Sequence, residues 1–152
     1  MDTKSQNPAI TQDDWENLKK RLTKLGMSKW GFLKSETRAL AQLLHKNEHI
    51  GGVIFGHSKP GSIMLVATDR RVIYLDTKPL FMKSEEISYD VVAGITLEWV
   101  GYRGTVVLHT RLGDFSISTL NKKAALIFRK YVEYRCIEHH KEEAKNAKPL
   151  KQ

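Results

Sequence analysis

The central part of the chain, residues 48–118, consists of short apolar or alternating segments separated by turn signals about every dozen residues. Links this short join antiparallel neighbours, because parallel strands need much longer crossovers. The pattern therefore predicts an antiparallel barrel or sandwich. The predicted strands are residues 48–57, 63–68, 72–75, 83–89, 92–100, 105–110 and 114–118, with a four-residue hairpin loop at 101–104.

Helical periodicity flanks this region on both sides. Before it, apolar residues recur at spacings of three and four until Gly26, which predicts a short helix with one apolar face. Ser35 is a good N-cap for a second short helix, and Thr119 or Asn121 can cap a longer amphipathic helix after the strands. The face of the last helix that we expect to pack on the sheet consists of Leu120, Ala124, Ile127, Phe128 and Tyr131, with Lys and Arg opposite.

These elements predict four consecutive regions. They are a disordered lead-in (residues 1–10), an N-terminal helical hairpin (11–47), a β domain closed by a helix (48–140) and a flexible basic tail (141–152).

Two segments carry a resemblance to a known family. They are residues 61–74 (GSIMLVATDRRVIY) and residues 86–95 (EISYDVVAGI), preceded by the short leader 43–48 (LLHKNE). In this order they resemble the bacterial pleckstrin-homology-like domains of the YokE-like group, which are related to GRAM domains. The resemblance implies a mainly β fold with α: a seven-stranded antiparallel barrel or roll capped by a C-terminal helix, here preceded by the helical hairpin. It also implies a binding or assembly module without catalytic residues.

The formal net charge of +8 suggests a polyanionic partner, but its distribution weakens that interpretation. Residues 48–120 carry seven Lys and Arg against eight Asp and Glu, so the strand region is close to neutral. The excess positive charge belongs to the N-terminal region, residues 1–47, and to the terminal helix with its tail, residues 121–152.

An anion-binding site is one candidate. In lipid-binding relatives, cations surround the first hairpin loop, and the resemblance carries this role onto Lys59, followed by Arg70 and Arg71 at the next turn. The match is incomplete, because Val72 stands where the last cation of the relatives' motif would be. The alternative is that both arginines are turn residues with ordinary surface ion pairs.

Other chemistry is sparse in the sequence. Cys136 is the only cysteine, which excludes an intrachain disulfide and favours the cytoplasm. Cys136, His139 and His140 share one side of a helix, yet no fourth ligand is evident and no histidine has a carboxylate partner at a telling spacing. We therefore predict no metal, no cofactor, no catalytic residue and no small-molecule substrate.

Aromatic and basic residues at the tip of one predicted hairpin are a weaker candidate. Tyr102 and Arg103 could contact nucleic acid, whereas Trp99 alternates with apolar residues and is expected in the core.

The apolar face of the first helix needs a cover, since so short a helix is marginal without tertiary packing. This face consists of Trp15, Leu18, Leu22 and Leu25. It can dock on the protein's own sheet, on a second copy, or on a membrane surface, where nearby Lys and Arg residues would help. The partners we expect are accordingly a protein or a second copy first, an anionic membrane second and nucleic acid third.

Overall fold

The computed structural model describes residues 12–28, 35–58, 61–78 and 81–147. The predicted lead-in at 1–10 and Lys59 lie outside the described residues. The helices are α1 (Gln12–Lys24), α2 (Ser35–Leu43) and α3 (Lys122–Asn146). The strands are β1 (Ile50–Ser58), β2 (Gly61–Thr68), β3 (Val72–Lys78), β4 (Phe81–Ile87), β5 (Val92–Val100), β6 (Arg103–Thr110) and β7 (Gly113–Thr119), with a 3₁₀ turn (Tyr89–Val91) between β4 and β5.

The strands form one antiparallel seven-stranded sheet in the order β4-β3-β2-β1-β7-β6-β5, which confirms the predicted fold class. Within it β1 and β7 meet at the pair His57 and Ser118. A Cβ on Gly56 would lie 1.9 Å from the carbonyl oxygen of Ser118, so only glycine permits this approach. The pair His57 and Ser118 joins the four-stranded half of the sheet, β4 to β1, to the three-stranded half, β7 to β5.

The main core lies between the sheet and α3. Phe128 and Val132 of α3 are almost fully buried against inward-facing strand residues. The helix comes unusually close to β1, since a Cβ on Gly52 would lie 2.8 Å from the Cα of Phe128. The buried strand residues of this cluster include Ile54, Ile63, Leu65, Ala67, Val72, Val106, Leu108 and Ile117.

A second cluster covers the other face of β1, β2 and β3. Alternate residues of β2 point to opposite faces, so Ile63 and Leu65 join the main core while Met64 and Val66 join the second cluster. The α1 and α2 helices supply its outer layer. Because β2 is buried on both faces, its sequence is a continuous run of apolar residues and does not alternate between apolar and polar ones.

The structure confirms that Gly26 terminates α1 and that Asn121 caps the start of α3. A hydrogen bond joins these two residues. Gly26 has a φ of 100°, and the amides of Gly26 and Met27 donate to the carbonyls of Thr23 and Leu22, closing α1 with a Schellman motif. Asn121 accepts from the amide of Ala124 through Oδ1 and donates through Nδ2 to the carbonyl of Gly26 at 2.7 Å. The end of α1 is therefore fixed to the start of α3.

Several details differ from the sequence predictions, among them the ends of β3, which reaches Lys78, and of β4, which begins at Phe81. The four-residue loop is a two-residue turn, because Val100 already pairs with Arg103. Tyr89 lies in the 3₁₀ turn rather than in β4, and Leu120 is 63% exposed rather than packed on the sheet. The α3 helix continues to Asn146, past the predicted boundary at His140, where side-chain pairs between successive turns support it.

Candidate functional site

Arg71, one of the three predicted anion ligands, is held inside the protein. Its side chain is 8% exposed, and its Nε and Nη2 donate to the two carboxylate oxygens of Glu48 at 3.0 and 2.9 Å. Nη2 also donates to the carbonyl of Leu43 at 2.8 Å, and Nη1 pairs with Glu86. Through these partners Arg71 connects the leader before β1 with the start of β3 and with β4. All three nitrogens of its guanidinium therefore have partners within the protein.

Glu48 is the acidic partner that the sequence reasoning did not single out. Burial alone would raise the pKa of this carboxyl, but hydrogen bonds from Arg71, from the His45 amide and from the Thr68 hydroxyl lower it from 4.5 to about 2. Glu48 belongs to the leader motif and lies 23 residues from Arg71, so no local spacing links the two.

Arg70 differs from its neighbour. It is exposed, and its Nη2 lies 3.4 Å from the carbonyl of Lys46. The Thr68 hydroxyl accepts the amides of Arg70 and Arg71 at 3.1 Å each, which fixes the turn. The two arginines are adjacent in sequence but differ in environment. The anion site of Lys59, Arg70 and Arg71 stays a prediction, because Lys59 lies outside the described residues.

The apolar face of α1 is turned toward the protein's own sheet. Leu22 is fully buried and Leu25 is 7% exposed, both within the second cluster, and Leu18 packs partly against it. Trp15 is half-buried, with the Lys19 ammonium 5.4 Å from its ring centroid. Arg21 adds a hydrogen bond of 2.7 Å from its Nε to the carbonyl of Ile50 at the start of β1.

The histidines near the end of α3 have partners that the sequence reasoning missed. His139 contacts the carboxylate of Asp90 in the 3₁₀ turn, and its Nε2 lies 3.3 Å from Oε1 of Glu143 one helical turn further on. The statement that no histidine has a carboxylate at a telling spacing is therefore wrong, because His139 and Glu143 are four apart. Cys136 instead packs half-buried against the core, where burial raises the pKa of its thiol.

The predicted hairpin tip divides into a packed and an exposed part. Trp99 packs against the main core, as expected, and its ring lies across Gly104, where a Cβ would be 2.1 Å from it. The Lys122 ammonium is 5.7 Å from the Trp99 ring centroid. Tyr102 is 78% exposed.

The outward face of α3 carries apolar side chains where only Lys and Arg were expected. Leu126 is 39% exposed, Tyr134 54% and Ile137 55%, although the opposite side of the helix is packed into the core. Because apolar residues occur on both sides of α3, the sequence pattern alone does not show that some of them face solvent. We call Leu126, Lys130, Glu133, Tyr134 and Ile137 the outer α3 face.

A family model described as bacterial PH domain matches residues 44–149, which is more than half of the chain. The chain belongs to the bacterial PH domain family. PH-like domains commonly mediate binding to proteins or lipids. In this bacterial PH domain no helix of the described residues is both long and apolar enough to cross a bilayer.

Several solved structures resemble this bacterial PH domain. One is a DUF1696 family protein with a pleckstrin-homology domain from Shewanella loihica PV-4, with 16% identity, a TM-score of 0.45, and 65% of this chain and 91% of that chain covered. Another is the hSac2 domain from human phosphoinositide phosphatase Sac2, with 13% identity, a TM-score of 0.40, and 77% and 86% covered. The search of the curated proteins found no match.

Proposed function

We propose that this bacterial PH domain is a non-enzymatic assembly module that associates with a second copy of itself through the outer α3 face. The observation that carries the proposal is the exposure of Leu126, Tyr134 and Ile137 on a helix whose other side is already packed. We place the module in the cytoplasm, in agreement with its single half-buried cysteine, Cys136.

The spacing of the outer α3 face suits helix pairing. Leu126, Lys130, Glu133 and Ile137 follow one another at intervals of four, three and four, which keeps them on one side of an α-helix. Tyr134 borders this row. The row extends for about 16 Å along the axis, close to three turns, so two such helices can pack over a useful length.

The face is also complementary to itself. If two α3 helices cross antiparallel about a two-fold axis near residue 132, Leu126 of each copy lies opposite Ile137 of the other. The same register brings Lys130 opposite Glu133, which places opposite charges between the two apolar contacts. A symmetric dimer therefore satisfies both the apolar and the charged members of the row.

The magnitude of these contacts favours a weak dimer. Burying an exposed Leu or Ile contributes about 1.5–3 kcal/mol at most, and symmetry doubles each contribution. Association itself costs roughly 4–15 kcal/mol. We therefore expect a dimer that forms at micromolar or higher concentration, not a permanent one.

Sedimentation velocity over a concentration series tests the proposal. We expect the wild-type protein to dimerise, Ile137→Glu to abolish this, and Leu112→Glu, at an 85% exposed turn position, to leave it unchanged. Lys130→Glu should weaken the dimer, and adding Glu133→Lys should restore it by exchanging the charges. A wild-type protein that remains monomeric at millimolar concentration would overturn the proposal, and so would a dimer that Ile137→Glu leaves intact.

A further inference from the structure

We propose that Asp90, His139 and Glu143 together bind one divalent cation of the zinc type. The three side chains come from two elements, since Asp90 lies in the 3₁₀ turn and the other two lie one turn apart on α3. One potential ligand atom from each lies within 4.8 Å of those of the others. The proposal is independent of self-association.

The separation of His139 and Glu143 suits a small ion with tetrahedral coordination. Zn²⁺ binds imidazole nitrogen and carboxylate oxygen at about 2.0–2.2 Å, so two of its ligands are separated by roughly 3.3–3.5 Å. Nε2 of His139 and Oε1 of Glu143 are 3.3 Å apart. Three protein ligands leave a fourth position for water.

The ligand types select the class of metal. Mg²⁺ and Ca²⁺ prefer shells made of oxygen, whereas an imidazole together with carboxylates suits Zn²⁺ and its neighbours in the first transition row. The site therefore discriminates against the two most abundant cellular divalent cations. In this arrangement Cys136, which the sequence grouped with His139, is not a ligand, because it packs against the core.

Asp90 is positioned by hydrogen bonds to its Oδ2 and to its main chain, and its Oδ1 faces His139. The Ser88 hydroxyl donates to Oδ2 at 3.2 Å, while Oδ1 is the oxygen that contacts His139. Its main-chain carbonyl accepts from Nη2 of Arg111 at 2.6 Å, and the neighbouring Tyr89 is 2% exposed. Outer contacts of this kind orient ligands before the ion binds.

The surroundings allow the ion to enter. An open cavity of about 550 Å³ adjoins the cluster and is lined by Asp90, Val92, Ala93, Arg111, His140 and Glu143. The positive charge of Arg111 opposes a cation there, whereas the two carboxylates attract it. A bound ion would join the second half of α3 to the corner between β4 and β5.

Calorimetric titration of the full chain with ZnCl₂ in a buffer that does not chelate metals tests the site. We expect one equivalent to bind, a cobalt(II) complex with visible absorption bands, and no binding of Mg²⁺ or Ca²⁺ at the same concentrations. Saturating Zn²⁺ should raise the midpoint of thermal unfolding by about 5–10 °C, since the ion binds the folded state.

Substitutions identify the ligands. Asp90→Asn, His139→Gln and Glu143→Gln should each weaken Zn²⁺ binding at least tenfold, while Cys136→Ser should not change it. His109→Gln is the matched control, because His109 forms a similar exposed pair with Asp114 at 3.1 Å on the sheet. Metal-free thermal unfolding reports whether each variant folds.

Absence of Zn²⁺ and Co²⁺ binding to the wild-type protein would overturn the proposal. Binding that persists in His139→Gln, or that is lost in Cys136→Ser or His109→Gln, would place the ion elsewhere and overturn it as well.

Discussion

The Arg71 guanidinium is held by groups of the protein itself, and its side chain is more than nine-tenths buried. Glu48 and Glu86 neutralise it, and the Leu43 carbonyl takes a further hydrogen bond. Buried pairs of this kind cost much free energy when one partner is removed, since the other charge is left without compensation. Arg71 thus contributes to the stability of the fold, whereas Arg70 beside it is exposed to solvent.

We expect Arg71→Gln to lower the free energy of unfolding by about 3–5 kcal/mol, because it leaves Glu48 buried and unpaired. Arg70→Gln is the adjacent control and should change it by less than about 0.5 kcal/mol. Urea denaturation measures both. Similar effects of the two substitutions would show that the Glu48–Arg71 pair is not the source of the stability.

The low pKa of Glu48 predicts a dependence of stability on pH. The pKa is about 2 in the folded protein and near 4.5 in the unfolded chain, so the folded state favours the ionised form. This contribution, on the order of 2 kcal/mol, is present above pH 4.5 and is lost as the pH falls toward 2. Glu48→Gln should flatten the profile in that window. An unchanged slope in chemical denaturation would contradict the assignment.

At the scale of elements, contacts distant in sequence explain which features could be predicted. The strands follow from local periodicity, and β5 has the predicted bounds, 92–100. The pairs Glu48–Arg71 and Asp90–His139 could not be found in this way, because 23 and 49 residues separate their members. The outer α3 face could not be predicted either. Apolar residues lie on both sides of this helix, so the sequence does not show which side faces solvent.

The contact between α3 and β1 depends on a glycine. In Gly52→Ala the new methyl group would lie 2.8 Å from the Cα of Phe128, which is backbone and cannot turn aside. We expect a loss of about 1–3 kcal/mol of stability through overpacking. Gly94→Ala is the control, since nothing lies within 4 Å of its Cβ. Equal midpoints of thermal unfolding for the two variants would contradict the close packing of helix on strand.

For the whole molecule, the N-terminal helices belong to the same packed body as the sheet. The α1 and α2 helices cover the face of β1 to β3 that α3 leaves open, and Leu22 and Leu40 are fully buried there. The family model begins at residue 44, so the match does not include these helices. They form a second layer of the fold.

Leu22→Ala therefore tests whether the layers unfold together. We expect a loss of about 2–5 kcal/mol and a single cooperative transition, because the cavity lies in a core shared by helix and sheet. Leu18→Ala, at a partly buried position on the same helix, should cost clearly less. Two transitions, seen when fluorescence and circular dichroism do not coincide, would show that α1 docks independently.

The link that Asn121 makes between the end of α1 and the start of α3 also brings basic residues together. Lys24 lies at the end of α1, and Lys122 and Lys123 lie at the start of α3, so these three lysines belong to one junction. The strand region adds almost no net charge to oppose them. The junction is therefore a patch of positive charge, and added salt would shorten the distance over which its field acts.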